Sequence, residues 1–339
     1  MPTEHVNRPC PVLLRRGAVA ALCAGVLVVA SLSLATAVVA QEVIRVGHFP
    51  NITHAQALVA RNFERQGRSW FEPRMSEGVH IQWFAYNAGP SAMEAIFAGS
   101  LDLTYVGPNP AINAYARSGG DEIRVVAGAM TGGSALVVQG DADLNQPADF
   151  RGRRIATPQF GNTQDVAARA WLAAGGLRIT QTGGDAQVLP TANPDQLALF
   201  AARQLDAVWT IEPWVSRLEL EAGGRVLIEE TEAVTTLLVS RAAFLAGHGE
   251  TARQFVAAHR ELTDWIVRNP DEAQRMVADE LRLQFRMHVA PEVLARAWTR
   301  MTPTSVASLE SLQDFVEAAQ EVGFLRAMPD LSRLLAVPP

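Results

Sequence analysis

Short apolar runs alternate with amphipathic stretches along most of this chain. The runs at residues 43–47, 81–84, 101–106, 124–129, 154–156, 205–210 and 225–228 read as strands. Between them lie helical patterns. One spans residues 54–66. A second is capped by Ser91 and places Met93, Ile96 and Phe97 on one face. Others open at Gly107-Pro108-Asn109-Pro110, at Asp165, at Asn193-Pro194-Asp195 (a cap with proline at the first helical position) and at Glu212-Pro213-Trp214. Strands that alternate with helices predict an α/β fold with a largely parallel sheet. Two further extended runs, 135–139 and 235–239, read as an outward and a return crossover between two lobes. After Arg241 the pattern is helical to the end, in segments 250–268, 270–283, 291–301 and 308–322. Phe255, Ala258, Leu262, Trp265 and Ile266 mark one core-facing stripe.

The first forty residues follow a different rule. Arg15 and Arg16 precede an uncharged apolar stretch, 17–39, that ends in Val38-Val39-Ala40 before Gln41. This reads as an export signal over residues 1–40, cleaved near Ala40. A retained anchor is the alternative, since the stretch is long enough to span a bilayer. The Arg-Arg pair admits either the general or the twin-arginine route. Cys23 is a poor lipid-attachment site because bulky Leu22 precedes it.

Composition narrows the chemistry. The chain has 339 residues, 48% hydrophobic and 19% charged, with a net charge of −6. That suits about two globular domains. Removing the signal makes the balance more acidic, because the segment carries Arg8, Arg15 and Arg16 against Glu4. Nothing in it points to nucleic acid. Both cysteines, Cys10 and Cys23, lie in the signal, so the exported part has no thiol nucleophile, disulfide or cysteine metal site. There is no lysine, which excludes Schiff-base chemistry and a P-loop. The seven histidines show no close ligand pair, so no metal and no cofactor is expected.

The stretch Gly161-Asn162-Thr163-Gln164 follows an apolar strand and opens a helix. Backbone N–H groups at such a turn are free to hold an anion or a carbonyl oxygen. The plain alternative is a helix cap by Asn162 or Thr163. A weak internal repeat supports more than a cap. Residues 95–102 run on to Gly107-Pro108 much as residues 199–206 run on to Glu212-Pro213. Each copy passes from helix through Leu-Asp to a strand and a proline-bearing loop. Each therefore ends at a strand's C-terminal edge, where open α/β sheets bind ligands.

Five segments, HFPNITHAQALVA from His48, LDLTYVGPNPAIN from Leu101, GGSALVV from Gly132, TPQFGNTQDVAARAW from Thr157 and DAVWTIEPWVSRL from Asp206, are similar to the sulfonate/nitrate/taurine substrate-binding proteins of ABC importers. That family includes the thiamine-pyrimidine-precursor proteins. The resemblance covers residues 43–270. It implies a periplasmic-binding-protein-like fold of type II: two α/β lobes, two crossover strands and a C-terminal helical part. The lobes would be 41–137 with 237–339, and 138–236. It also implies a periplasmic monomer that captures a small anionic or zwitterionic solute for a permease and an ATPase. One departure stands out: the chain from Glu230 to Thr235 is short and lacks the aromatic residue expected there.

A cleft binder needs convergent polar groups on apolar walls. The first lobe offers Asn51, Thr53, His54, Gly107, Asn109, Pro110, Gly133 and Ser134. The second offers Gly161, Asn162, Thr163, Gln164, Glu212 and Trp214. His54 could instead pack at the surface. Glu212 would either accept a solute ammonium, as in taurine, or pair with Arg217. Trp209 is assigned to the core and Trp214 to the cleft. An enzyme on the same fold would have to rely on a His54/Glu212 acid–base pair, and a sensor module is a third possibility.

Overall fold

The computed structural model describes residues 41–180 and 183–336. The expected export signal, with Cys10 and Cys23, lies outside them. The chain begins β1 (Glu42–His48), α1 (Ala55–Arg65), β2 (Val79–Ala85), α2 (Gly89–Phe97), β3 (Leu103–Val106), α3 (Pro108–Arg117) and β4 (Ile123–Gly132). There follow β5 (Ser134–Gln139), β6 (Arg154–Thr157), α4 (Thr163–Ala174), a short hairpin of β7 (Ile179–Thr180) and β8 (Gly183–Gly184), β9 (Gln187–Pro190), α5 (Asn193–Ala201), β10 (Ala207–Ile211), α6 (Trp214–Ala222) and β11 (Gly224–Glu230). The rest is β12 (Val234–Arg241), α7 (Ala242–Gly247), α8 (Gly249–Arg268), α9 (Pro270–Phe285), α10 (Pro291–Trp298), β13 (Met301–Pro303) and α11 (Gln313–Glu321).

Two main sheets result, ordered β13-β4-β12-β3-β1-β2 and β11-β5-β10-β6-β9. Helices cover both faces of each. In the first, α1, α8, α9 and α10 enclose Ile44, Leu58, Phe255 and Leu262 on one side. Helices α2, α3 and α11 enclose Ile96, Tyr115 and Val316 on the other. In the second, α4 packs with Phe150, Leu172 and Trp209, and α5 and α6 with Phe200, Val215 and Leu218. Strands covered on both faces read as unbroken apolar runs. That is the pattern of β5, buried throughout, and of β12, buried up to Arg241.

This burial corrects the crossover assignment. Residues 135–139 lie inside β5 and residues 235–239 inside β12, so the expected lobe boundaries fall within strands. The chain changes sheets earlier, at Gly132-Gly133 and at 231–233. Gly132 and Gly133 have φ of +72° and +76°, a conformation that favours glycine. A Cβ on Gly132 would lie 2.2 Å from the Arg300 carbonyl oxygen. The sheets are also mixed rather than largely parallel. β1 runs parallel to β2 and β3, and β6 to β9 and β10, whereas β5 and β12 run antiparallel to their neighbours. A strand that starts at the crossing necessarily runs against strands that end there.

Other boundaries moved for local reasons. Ser91 does not cap α2; Ala88 does, and the Ser91 hydroxyl pairs with Gln159. Asn193 lies inside α5, whose cap is Ala192. The stretch 291–301 stops as helix at Trp298, and Met301–Pro303 pairs with β4 as an edge strand. The stretch 308–322 shortens to α11, and β9 had no apolar run long enough to announce it.

The internal repeat is structural. It appears as α2–β3–α3 in the first sheet and α5–β10–α6 in the second. Asp102 N–H donates to the Arg45 carbonyl and Asp206 N–H to the Arg154 carbonyl, at 2.9 and 3.0 Å. Each carboxylate then accepts the N–H of that same arginine, at 3.0 and 2.8 Å. Thus each Leu-Asp pins a new strand beside an earlier, parallel strand of its sheet, β3 beside β1 and β10 beside β6.

Asp102 also accepts the guanidinium groups of Arg45 and Arg241, at 2.8 and 3.2 Å. It is buried, so removing it strands a backbone donor and two cations. Asp102→Ala is expected to lower unfolding free energy by about 2–3 kcal/mol. Urea denaturation measures this, and a loss near zero would refute the anchoring role.

Candidate functional site

The parallel strands of both sheets end toward one another, and the loops that follow enclose a cavity of about 30 Å³. Phe49, Asn51 and His54 come from the β1–α1 loop, and Asn87, Ala88 and Gly89 from the β2–α2 loop. Gly107 and Pro110 open α3, while Pro158, Asn162, Thr163 and Gln164 lead into α4. Asn193, Ile211 and Thr235 complete the wall. Four helices, α2 to α5, therefore begin at the cavity. Helix starts carry unpaired N–H groups and the positive end of the dipole. Proline removes two N–H groups from the start of α3 (Pro108, Pro110) and one each from α2 (Pro90) and α5 (Pro194), so α4 alone keeps them all.

Among the described residues, no Asp, Glu, Lys or Arg lines the cavity. His54 is buried, not at the surface, and burial holds its imidazole well below its usual pKa. Phe49 N–H donates to its Nδ1 at 3.4 Å, which leaves the proton on Nε2. Asn162 is both a cap and a wall. Its Oδ1 accepts Asp165 N–H at 2.9 Å, and its Nδ2 donates to Gln164 Oε1 at 3.1 Å. The Thr163 hydroxyl is buried and has no hydrogen-bond partner among the described residues. It faces Gly107 so closely that a Cβ there would come within 2.5 Å of it. Thr163 and Gly107 thus bring the two sheets together across the cavity.

Of the residues expected at the site, Asn51, His54, Gly107, Pro110, Asn162, Thr163 and Gln164 meet at this cavity. The others stand apart from it. Asn109 Nδ2 donates to the Phe315 carbonyl at 2.9 Å and holds α11 instead. Thr53 and Met301 pack against Gly133 at the sheet crossing. Ser134 accepts Gln164 Nε2 at 3.4 Å and sits behind it. Gly161, with φ of +75°, packs under Phe324 and donates to Asp165 Oδ2. Trp214 is buried and donates to Asn51 Oδ1 at 3.1 Å, and Trp209 lies in the core.

Glu212 is the clearest correction. It neither faces the cavity nor pairs with Arg217, which binds Glu221. Its carboxylate accepts Ser216 N–H and Oγ, at 3.1 and 2.8 Å, and Arg300 Nη1 at 3.2 Å. Arg300 also reaches Glu219 and Glu229. A His54/Glu212 acid–base pair is therefore not assembled around the cavity. The Glu212–Pro213 peptide bond is cis. Nothing local in sequence announced Arg300, which joins through the tertiary fold. Asn87, Gly89 and Asn193 did carry a usable signal, since each lies at a strand-to-helix turn of the same kind as Gly161–Gln164.

A family model described as NMT1-like matches residues 39–281. An Escherichia coli protein named for binding aliphatic sulfonates is 31% identical over 154 residues, 45% of this chain and 46% of its own. The taurine-binding periplasmic protein of Escherichia coli is 24% identical over 200 residues, 57% and 60% of the two chains. The chain spans less than two thirds of the length of the curated relatives it matches. Among solved structures, the alkanesulfonate-binding protein SsuA from Xanthomonas axonopodis pv. citri, bound to MOPS, superposes with a TM-score of 0.67 at 22% identity. That match covers 88% of this chain and 98% of the other. The fold is that of the periplasmic solute-binding proteins.

Burial pushes the Glu212 carboxyl up from 4.5 to about 7. The folded protein then holds a proton there, between those pH values, that the unfolded chain releases. Stability should fall as pH rises across that window. Glu212→Gln should remove this falling limb, so that its stability relative to wild type gains up to about 3 kcal/mol by pH 7. Denaturation curves at intervals from pH 4.5 to 7.5 test this; parallel wild-type and variant profiles would contradict it.

Proposed function

This chain belongs to the NMT1-like family, and from that premise we propose that it is an exported solute-binding protein of an ABC importer. It acts in the periplasm, captures a small oxyanion between two lobes, and delivers it unchanged to a permease and its ATPase. The lobes exchange at Gly132-Gly133 and at 231–233. The observation that carries this reading is the convergence of four helix starts on a cavity that no charged side chain lines among the described residues. Neutral donors and helix dipoles stabilise an anion and need no counter-cation.

The same geometry narrows the solute. A cavity of about 30 Å³ holds a compact head group. Taurine would bring an ammonium, and no carboxylate lines the cavity to receive it, because Glu212 is engaged by Arg300. An aliphatic sulfonate fits better than a zwitterion, with nitrate and bicarbonate as smaller alternatives.

Thermal-shift titration of the purified protein against short alkanesulfonates, taurine, nitrate and bicarbonate tests the reading. Alkanesulfonates are expected to raise Tm and taurine to do so less. If none of these solutes raised Tm, the oxyanion assignment would fail. Thr163→Val sharpens the test, since it deletes a buried hydroxyl that has no hydrogen-bond partner among the described residues. The solute-free variant should be as stable as wild type or slightly more so. Its affinity should drop about tenfold, the worth of one hydrogen bond. Unchanged affinity would remove Thr163 from the contact set.

A further inference from the structure

Asn51 follows β1 and its side chain is buried in the cavity wall. Trp214 Nε1 lies 3.1 Å from one of its two terminal atoms. An indole N–H can only donate, so that atom is the oxygen. Chemistry therefore fixes the orientation of the Asn51 amide. Asn193 shares this oxygen at 3.4 Å and must present its own Nδ2. That in turn aims Asn193 Oδ1 at the Thr210 hydroxyl, 3.3 Å away. One donor-only ring thus orders a chain of four side chains.

The chain of bonds runs from one sheet to the other. Asn51 belongs to the β1–α1 loop of the first sheet. Trp214 opens α6 and Asn193 opens α5, both on the second. Alongside, Ile52 N–H donates to the Glu212 carbonyl at 3.2 Å. The Asn51 oxygen is thereby committed to the opposite sheet. Its two N–H donors find no acceptor among the described residues.

We propose that Asn51 couples solute capture to closure of the two sheets, with its oxygen latched by Trp214 and Asn193 and its N–H donors turned to an acceptor atom of the solute. This role rests on the solute-binding reading above. A solute oxygen that takes the N–H donors polarises the amide and strengthens the oxygen as an acceptor, so occupancy and closure reinforce each other. Trp214 and Asn193 are positioning residues that act through Asn51.

Three variants separate the two ends of the amide. Trp214→Phe keeps the ring in its packing site and removes only the donor. It is expected to bind the same solute about tenfold more weakly, through faster dissociation, with the preference order across the solute panel unchanged. Asn193→Ala should act in the same direction without touching the aromatic packing, and so covers the case in which Trp214→Phe fails to fold. Asn51→Asp keeps the acceptor and replaces the N–H donors with a carboxylate oxygen. It should abolish binding of an anionic solute while small-angle scattering shows a particle as compact as wild type. Unchanged dissociation rates in both Trp214→Phe and Asn193→Ala, or wild-type affinity in Asn51→Asp, would overturn the proposal. If wild type bound no solute, the earlier reading would fail. Scattering of the solute-free proteins would still judge the latch. Trp214→Phe should be measurably more expanded than wild type, and equal radii of gyration would refute it.

Discussion

Two passages of the chain between sheets impose the constraint on which the rest depends. Both crossings lie at the same edge, at Gly132-Gly133 and at 231–233, where the Arg300 carbonyl leaves no room for a side chain on Gly132. A strand that ends at this edge points its C-terminus at the other sheet. A strand that starts there must run antiparallel to it. Hence β5 and β12 run antiparallel to β10 and β3, the strands beside them that end at this edge. The helices that follow the parallel strands then begin face to face, and the cavity is the space between their starts.

The chemistry of that space follows from the kind of groups a helix start provides. Backbone N–H groups, the hydroxyl of Thr163 and the amides of Asn51, Asn87, Gln164 and Asn193 are all neutral. His54 is neutral as well, because burial disfavours its charged form. Charged groups nearby are engaged with one another and kept out of the wall: Asp165 with Arg169 on α4, and Arg300 with Glu212, Glu219 and Glu229. A site built this way can hold an anion by dipoles and release it without breaking an ion pair.

The α/β class and the strand-to-helix loops were legible from local pattern, because periodicity and proline-bearing turns are local properties. The Leu-Asp repeat was legible too, and proved to be one hydrogen-bonding device used twice, through Asp102 and Asp206. Gly161–Gln164 was readable as a helix start; Asn162 caps it, and Asn162, Thr163 and Gln164 line the cavity. The two crossover misreadings share one cause. Apolar runs at 135–139 and 235–239 look alike whether they cross between sheets or lie within one, since burial on both faces leaves the same composition.

By itself the sequence determined the element types, the absence of cysteine and lysine from residues 41–339, and the neutral donors at the strand ends. These depend on residue identity and near-neighbour spacing. Tertiary structure alone decided which donors face one another and which are taken. Asn109 went to the Phe315 carbonyl, Glu212 to Arg300, and the oxygen of Asn51 to Trp214 and Asn193. Each of these partners is far away in the chain. A side chain's availability depends on every acceptor and donor brought within about 3 Å of it, and only the folded chain sets that distance.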